Sequence, residues 1–338
     1  MEELSNSGEG RNVCLRLNSQ VLSGNRLNDP ATREVWVWLP PSYGKTTNRR
    51  YSVLYYLAGF TGRGKMALND HPWSPGMDRR MGRLLQAGIA KEAILVFPDC
   101  FTRLGGSQYV NSSYMGFYED YLVQEVVPLI DREFRTKGDG YRGVFGKSSG
   151  GFGALRLGMK YPGLFSAVAS HAGDVSFDLC YLPDFPKAAR GLKRAGGFKK
   201  FMDQFESKEK KTGDQIHVLN ICAMSAAYSP LEDGSGFQFP FRGDGLELDE
   251  EVWAKWISFD PLEMLKLEKN RIALKSMKVL FLDAGTNDEW NLDFGAHRFS
   301  KVLSSHGIDH IHEEFEDGHM GTSYRFDRSL PLLTRALT

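Results

Sequence analysis

Short apolar runs rich in β-branched and aromatic residues recur along the chain. Between them lie segments whose apolar residues fall at helical spacing, and this alternation constrains the fold more than any other feature. Arg33 to Leu39 alternates apolar and polar positions and stops at Pro40-Pro41, as a half-buried strand does. Tyr51 to Ala58 is apolar nearly throughout and ends in Gly59, the pattern of a strand buried on both faces. Ala93 to Pro98, Tyr141 to Phe145, Ala167 to Ala169, Met277 to Leu282 and Ile308 to Phe315 read the same way. Tyr118 to Phe134 places Tyr121, Val123, Val126, Val127 and Ile130 on one helical face, and Ser149 to Tyr161 and Leu292 to Ser305 also predict helices. Strands alternating with helices predict an α/β fold, a mostly parallel central sheet with helices on both faces.

One stretch breaks the rhythm. Residues from about 174 to 260 show no clear sheet strand, which is too long a connection for a compact core, so they predict a cap-like insertion at one end of the sheet. Its aromatics, Phe237, Phe239, Phe241, Trp253 and Trp256, need apolar partners or a ligand, and its basic run, Lys208, Lys210 and Lys211, reads as a solvated helix face. Residues 1–10 read as a flexible tail and residues 11–338 as a single domain, which a chain of 338 residues with 41% hydrophobic content can support.

With 42 basic and 42 acidic residues, the charge offers no case for a nucleic-acid or anionic-membrane partner. No apolar run reaches the roughly 18 residues of a membrane span. The polar start of the chain has no apolar core of a signal peptide, and the four scattered cysteines suit a reducing compartment, so a cytoplasmic location is expected.

The chemistry centres on Gly146-Lys147-Ser148-Ser149-Gly150. A G-x-S-x-G pattern gains meaning where it follows a strand and opens a helix, and here Gly143-Val144-Phe145 precedes it and a helical pattern follows. Such a turn exposes a serine hydroxyl, which needs a base to take its proton and an acid to orient that base. The loop after Met277–Leu282 carries Asp283, Asp288 and Glu289. About one strand later, Glu316-Asp317-Gly318-His319 puts His319 at a strand's C-terminal end. His297, His306, His310 and His312 fall within or at the ends of elements, whereas His71 and His171 are candidates for the pocket without a catalytic role. Two backbone N–H donors must face the developing oxyanion. Ser149 follows the nucleophile directly, and Phe60 lies in the turn Gly59-Phe60-Thr61-Gly62 after an apolar strand.

Y-Y-L-A-G-F-T-G, F-P-D-C-F-T-R-L-G-G-S-Q-Y, G-K-S-S-G-G-F-G-A-L, D-A-G-T-N-D-E-W and D-G-H-M-G occur in that order. Together they resemble the esterase D / putative esterase family, which includes S-formylglutathione hydrolases and enterochelin-esterase-like proteins. The resemblance implies an α/β-hydrolase fold, with Ser148 as nucleophile, Asp288 as acid, His319 as base, and Phe60 and Ser149 as oxyanion donors. The G-x-x-D spacing from Gly285 also favours Asp288 over its neighbours. The expected activity is that of a serine carboxylic-ester hydrolase working through an acyl-enzyme on a small-molecule ester, with no cofactor and no metal. The alternatives are a thioesterase or acyltransferase on the same triad, and a catalytically silent binding protein. A homo-oligomer is left open. Lys147, beside the nucleophile, reads as a charge at the pocket rim that would favour an anionic substrate.

Overall fold

The computed structural model describes residues 3–5 and 10–338, and of residues 3–5 only the backbone. One nine-stranded sheet runs through it: β1 (Glu3–Ser5), β2 (Arg11–Asn18), β3 (Thr32–Leu39), β4 (Ser52–Leu57), β5 (Ala93–Pro98), β6 (Arg142–Lys147), β7 (Ala167–His171), β8 (Val279–Gly285) and β9 (Ile311–Phe315). Its order is β1-β2-β3-β5-β4-β6-β7-β8-β9. Neighbours from β5 across to β9 pair in parallel, while β1, β2 and β3 pair antiparallel at the other edge. Of the segment read as a tail, residues 1–2 and 6–9 lie outside the described residues, and the backbone of Glu3–Ser5 adds the edge strand β1.

The helices that bear on the site are α1 (Met77–Gln86), α2 (Ser149–Lys160), α3 (Phe185–Ala195), α4 (Phe198–Ser207), α5 (Gly213–Tyr228), α6 (Glu250–Ile257), α7 (Leu292–Ser305) and α8 (Phe326–Ala336). Side chains alternate across the sheet as the two-residue period requires. Tyr55, Val96, Val144 and Leu282 pack with Leu155 of α2 and Phe299 of α7, whereas Leu54, Phe97, Phe145 and Phe281 pack with Met81 of α1 and Leu330 of α8. Both faces are thus covered, which is why these strands read as continuous apolar runs. Phe145 is fully buried, with the rings of Tyr56 and Phe326 at 5.5 and 5.7 Å, and truncating such a side chain costs about 3–5 kcal/mol.

Most boundaries fall within two or three residues of the sequence pattern. The helix read at Tyr118 to Phe134 runs through Glu133, with a π-helical segment over Tyr121–Val126 just ahead of Pro128. Proline has no N–H to give to the preceding turn, and a locally widened helix accommodates that.

The segment read as a cap is helical, carrying α3 to α6 and a single two-residue ladder, Phe241–Arg242 with Glu247–Leu248. Thr212 and Gln215 close the start of α5 reciprocally, and its residues are then buried almost continuously from Val218 to Tyr228. A helix buried all round has no polar face to betray it in the sequence. Its aromatics build the insertion's own core: Trp256 is fully buried against Tyr181, Phe185 and Tyr228, with Phe241 and Trp253 packed on Phe185. The basic run is not a helix face, because Lys208, Lys210 and Lys211 lie between α4 and α5, where Lys211 donates to the carbonyls of Phe205 and Lys208. Asp260 ties the insertion's two ends together. Its carboxylate accepts from Ser176 N at 3.1 Å and Phe177 N at 2.7 Å where the chain leaves, and from Leu262 N at 2.9 Å where it returns.

Candidate active site

The registers bring the C-terminal ends of three strands into one row, with Lys147 of β6 opposite His171 of β7, and His171 opposite Asp283 of β8. Ser148 stands one residue beyond that row. Its backbone is at φ 57°, ψ −127°, a conformation that L-residues adopt at a cost of about 1–3 kcal/mol. Two hydrogen bonds hold it there: Ser148 N donates to His171 O, and Phe152 N donates to Ser148 O, each at 2.9 Å. The flanking glycines are demanded by space, since a β-carbon at Gly146 or Gly150 would sit 2.4 or 1.9 Å from the carbonyl oxygen of Leu57.

The two residues expected to supply oxyanion donors follow different strands. Ser149 begins α2, and Phe60 lies in the turn beyond β4. Neither N–H donates to a protein acceptor among the described residues, although both residues line the cavity that holds Ser148. The Phe60 turn is fixed by the loop after β5, where Thr61 N donates to Gly105 O at 2.7 Å and the Phe60 ring packs against Gly105 and Gly106.

His319 follows β9 and lines the same cavity, which encloses about 460 Å³. Its Nδ1 lies 2.7 Å from Oδ2 of Asp288, whose side chain is wholly buried, and Asp288 Oδ1 accepts from Trp290 N at 2.9 Å. Glu289 turns away from the imidazole and accepts instead from the backbone N–H of His319 at 2.7 Å. The structure thus brings together Ser148, Asp288, His319, Phe60 and Ser149, all five residues that the sequence nominated.

Asp283 is occupied elsewhere. Its carboxylate takes His171 Nδ1 at 2.7 Å and Arg325 Nε at 2.8 Å, while His171 Nε2 meets Ser329 Oγ at 2.7 Å. Ser329, His171 and Asp283 therefore form a second serine–histidine–aspartate chain, buried and away from the cavity. His171 consequently does not line this cavity, and nor does His71, whose ring rests on exposed Trp73.

Lys147 is no free charge at the rim. Its ammonium donates to the carbonyl oxygen of His319, and burial pushes its pKa down against the pull of nearby Asp288 and Glu289. The insertion, expected from the sequence to form part of the pocket, does line the cavity, through Cys180, Tyr181, Ile216, His217 and Asn220 with Asp174, whereas Phe237, Phe239, Phe241, Trp253 and Trp256 do not line it. His217 pairs with Asp184 at 2.8 Å and stacks on Trp290, whose other contact is edge-on to His319 with centroids 4.8 Å apart. These residues converge from distant segments, and no local spacing marks them.

A sharp strand–serine–helix turn, an acid beyond a later strand and a histidine beyond the next, on a sheet of this order, define an α/β-hydrolase. The sequence profile of the family described as "Putative esterase" matches residues 25–302, and the chain belongs to that family. It is 29% identical over 304 residues to Esterase MT1326 of Mycobacterium tuberculosis strain CDC 1551 / Oshkosh and to Esterase Rv1288 of strain ATCC 25618 / H37Rv. Each match covers 84% of this chain and 52% of the relative, so the chain spans about half the length of the curated relatives it matches. A ferulic acid esterase superposes with a TM-score of 0.64 at 21% identity, covering 97% of this chain and 99% of the other. An S-formylglutathione hydrolase from Agrobacterium tumefaciens superposes with a TM-score of 0.65 at 15% identity, covering 100% and 99%.

Proposed function

We propose that the chain is a serine carboxylic-ester hydrolase with Ser148 as nucleophile, His319 as general base and Asp288 as the orienting acid. The observation that carries this reading is convergence in one cavity. A serine on a strained turn, a histidine backed by a buried carboxylate, and two residues whose backbone N–H groups have no acceptor among the described residues all line the same cavity.

Ser148 Oγ attacks the ester carbonyl while His319 Nε2 takes its proton. The resulting imidazolium is stabilised by Asp288 through Nδ1–H, and the N–H groups of Phe60 and Ser149 receive the oxyanion. His319 then gives the proton to the leaving alcohol, and a water activated by the same imidazole releases the acid from the acyl-enzyme. Lys147 and Glu289 hold the backbone of His319 from both sides, through its carbonyl and its N–H.

Hydrolysis of p-nitrophenyl acetate and butyrate tests the reading, with Ser148→Ala expected to lower kcat by roughly 10³-fold or more. Activity retained in Ser148→Ala would refute it. A panel extending to feruloyl esters and S-formylglutathione ranks the acyl groups.

A further inference from the structure

Asp174 sits where the chain leaves β7 for the insertion, beside the expected oxyanion donor Ser149. It is 6% exposed, yet it lines the catalytic cavity. Its hydrogen bonds are lopsided. Tyr181 OH at 2.8 Å, Gln108 Nε2 at 3.2 Å and Ser149 Oγ at 3.3 Å all donate to Oδ2, and Oδ1 accepts nothing among the described residues. All three donors are neutral, and no lysine or arginine pairs with Asp174 among the described residues. Lys147, which shares the cavity, is directed at the His319 carbonyl instead.

A carboxylate buried without a lysine or arginine partner is costly to ionise, and burial does push the pKa of Asp174 up, with the Tyr181 and Gln108 hydrogen bonds and the charge of nearby His319 opposing the rise. An incoming ammonium would supply the missing charge and occupy the unused oxygen at once.

We propose that Asp174 anchors an ammonium group on the acyl half of the substrate, so that the cavity selects amino-acyl esters. The acyl half is indicated because the N–H of Ser149 faces the carbonyl oxygen, and the hydroxyl of the same residue bonds Asp174, whereas His319 must reach the leaving oxygen on the other side. Ser149 thereby joins oxyanion binding to acyl recognition. The inference rests on the esterase reading above for the orientation of the ester.

The test compares three ethyl esters of matched size: β-alanine ethyl ester, which carries the ammonium, ethyl 3-hydroxypropanoate and ethyl butanoate. For the wild-type protein, kcat/KM should favour the ammonium ester over ethyl butanoate by roughly tenfold or more, as a hydrogen bond to a charged group allows. Asp174→Asn should abolish or reverse that preference. The three donors on Oδ2 hold the amide oxygen in its place, and the NH₂ group then faces the ammonium. Thermal unfolding checks that the variant is folded. Binding of the same esters to Ser148→Ala, measured by calorimetry, reads the preference without turnover. Equal affinity for all three esters, a preference that survives Asp174→Asn, or a stronger preference for the hydroxy ester would each overturn the proposal. An ammonium preference in binding with no hydrolysis of any ester would sink the esterase reading and leave the anchor standing.

Discussion

Replacing Asp288 with asparagine changes the site by one proton-bearing atom, and the structure dictates where that atom goes. Oδ1 of Asp288 accepts from Trp290 N at 2.9 Å, and Oδ2 meets His319 Nδ1 at 2.7 Å. In Asp288→Asn the amide oxygen must stay opposite the Trp290 N–H, because an NH₂ group there would oppose donor to donor in a buried site. The NH₂ therefore faces Nδ1 and donates to it, leaving the imidazole proton on Nε2, the atom that has to accept from Ser148. The base is then held in the wrong tautomer, and the charge that stabilises its cation is gone. Comparable losses elsewhere are near 10⁴ in kcat, or about 5.5 kcal/mol of transition-state stabilisation at roughly 1.4 kcal/mol per decade. Steady-state hydrolysis of p-nitrophenyl butyrate measures it, with circular dichroism to check folding. Glu289→Gln is the control: its carboxylate holds only the His319 backbone N–H, so it should cost less than about tenfold. A folded Asp288→Asn retaining more than a tenth of the activity, or a Glu289→Gln that is the weaker of the pair, would refute the reasoning.

A fluorophosphonate probe should label Ser148, and peptide mapping should find none on Ser329, whose hydrogen-bonded histidine lies in a closed core; label on Ser329 would contradict the role given to the cavity. Burial raises the Asp260 pKa from 3.8 to about 6. Its contribution to stability is therefore fully present below 3.8 and lost as pH rises through 6, a swing of up to about 3 kcal/mol. Urea unfolding of wild type and Asp260→Asn should show the wild type gaining on the variant between pH 7.5 and pH 5, and a pH-independent difference would contradict it.

The parallel core was legible because strands buried on both faces leave unmistakable apolar runs. Ser148 was legible because its turn demands small neighbours at fixed spacing, as the 1.9 Å clearance at Gly150 makes plain. His319 followed from strand order alone. What escaped lies where neither periodicity nor steric demand acts locally. The strand Arg11–Asn18 at the antiparallel edge buries only Val13, so its pattern was faint. Helix α5 is buried nearly all round past its first turns, so it carries no polar face for the pattern to show. Asp174 and His217 acquire their meaning from partners far away in the sequence, Gln108 and Trp290 among them.

One carboxylate gathers both feet of the 174–260 excursion, and the excursion also packs on the body along its length, with Ser112 Oγ donating to Ala226 O at 2.6 Å and Arg103 paired with Glu206. Closing a flexible loop becomes costlier only with the logarithm of its length, by about 0.6 kcal/mol per doubling. Residues could accordingly be added in exposed connections such as 208–210 with little penalty to the sheet, provided the pin at Asp260 and the buried helix α5 are kept. Diversification of this scaffold then has a natural seam: new acyl preferences can be written into the excursion while the row of strand ends beneath it stays in register.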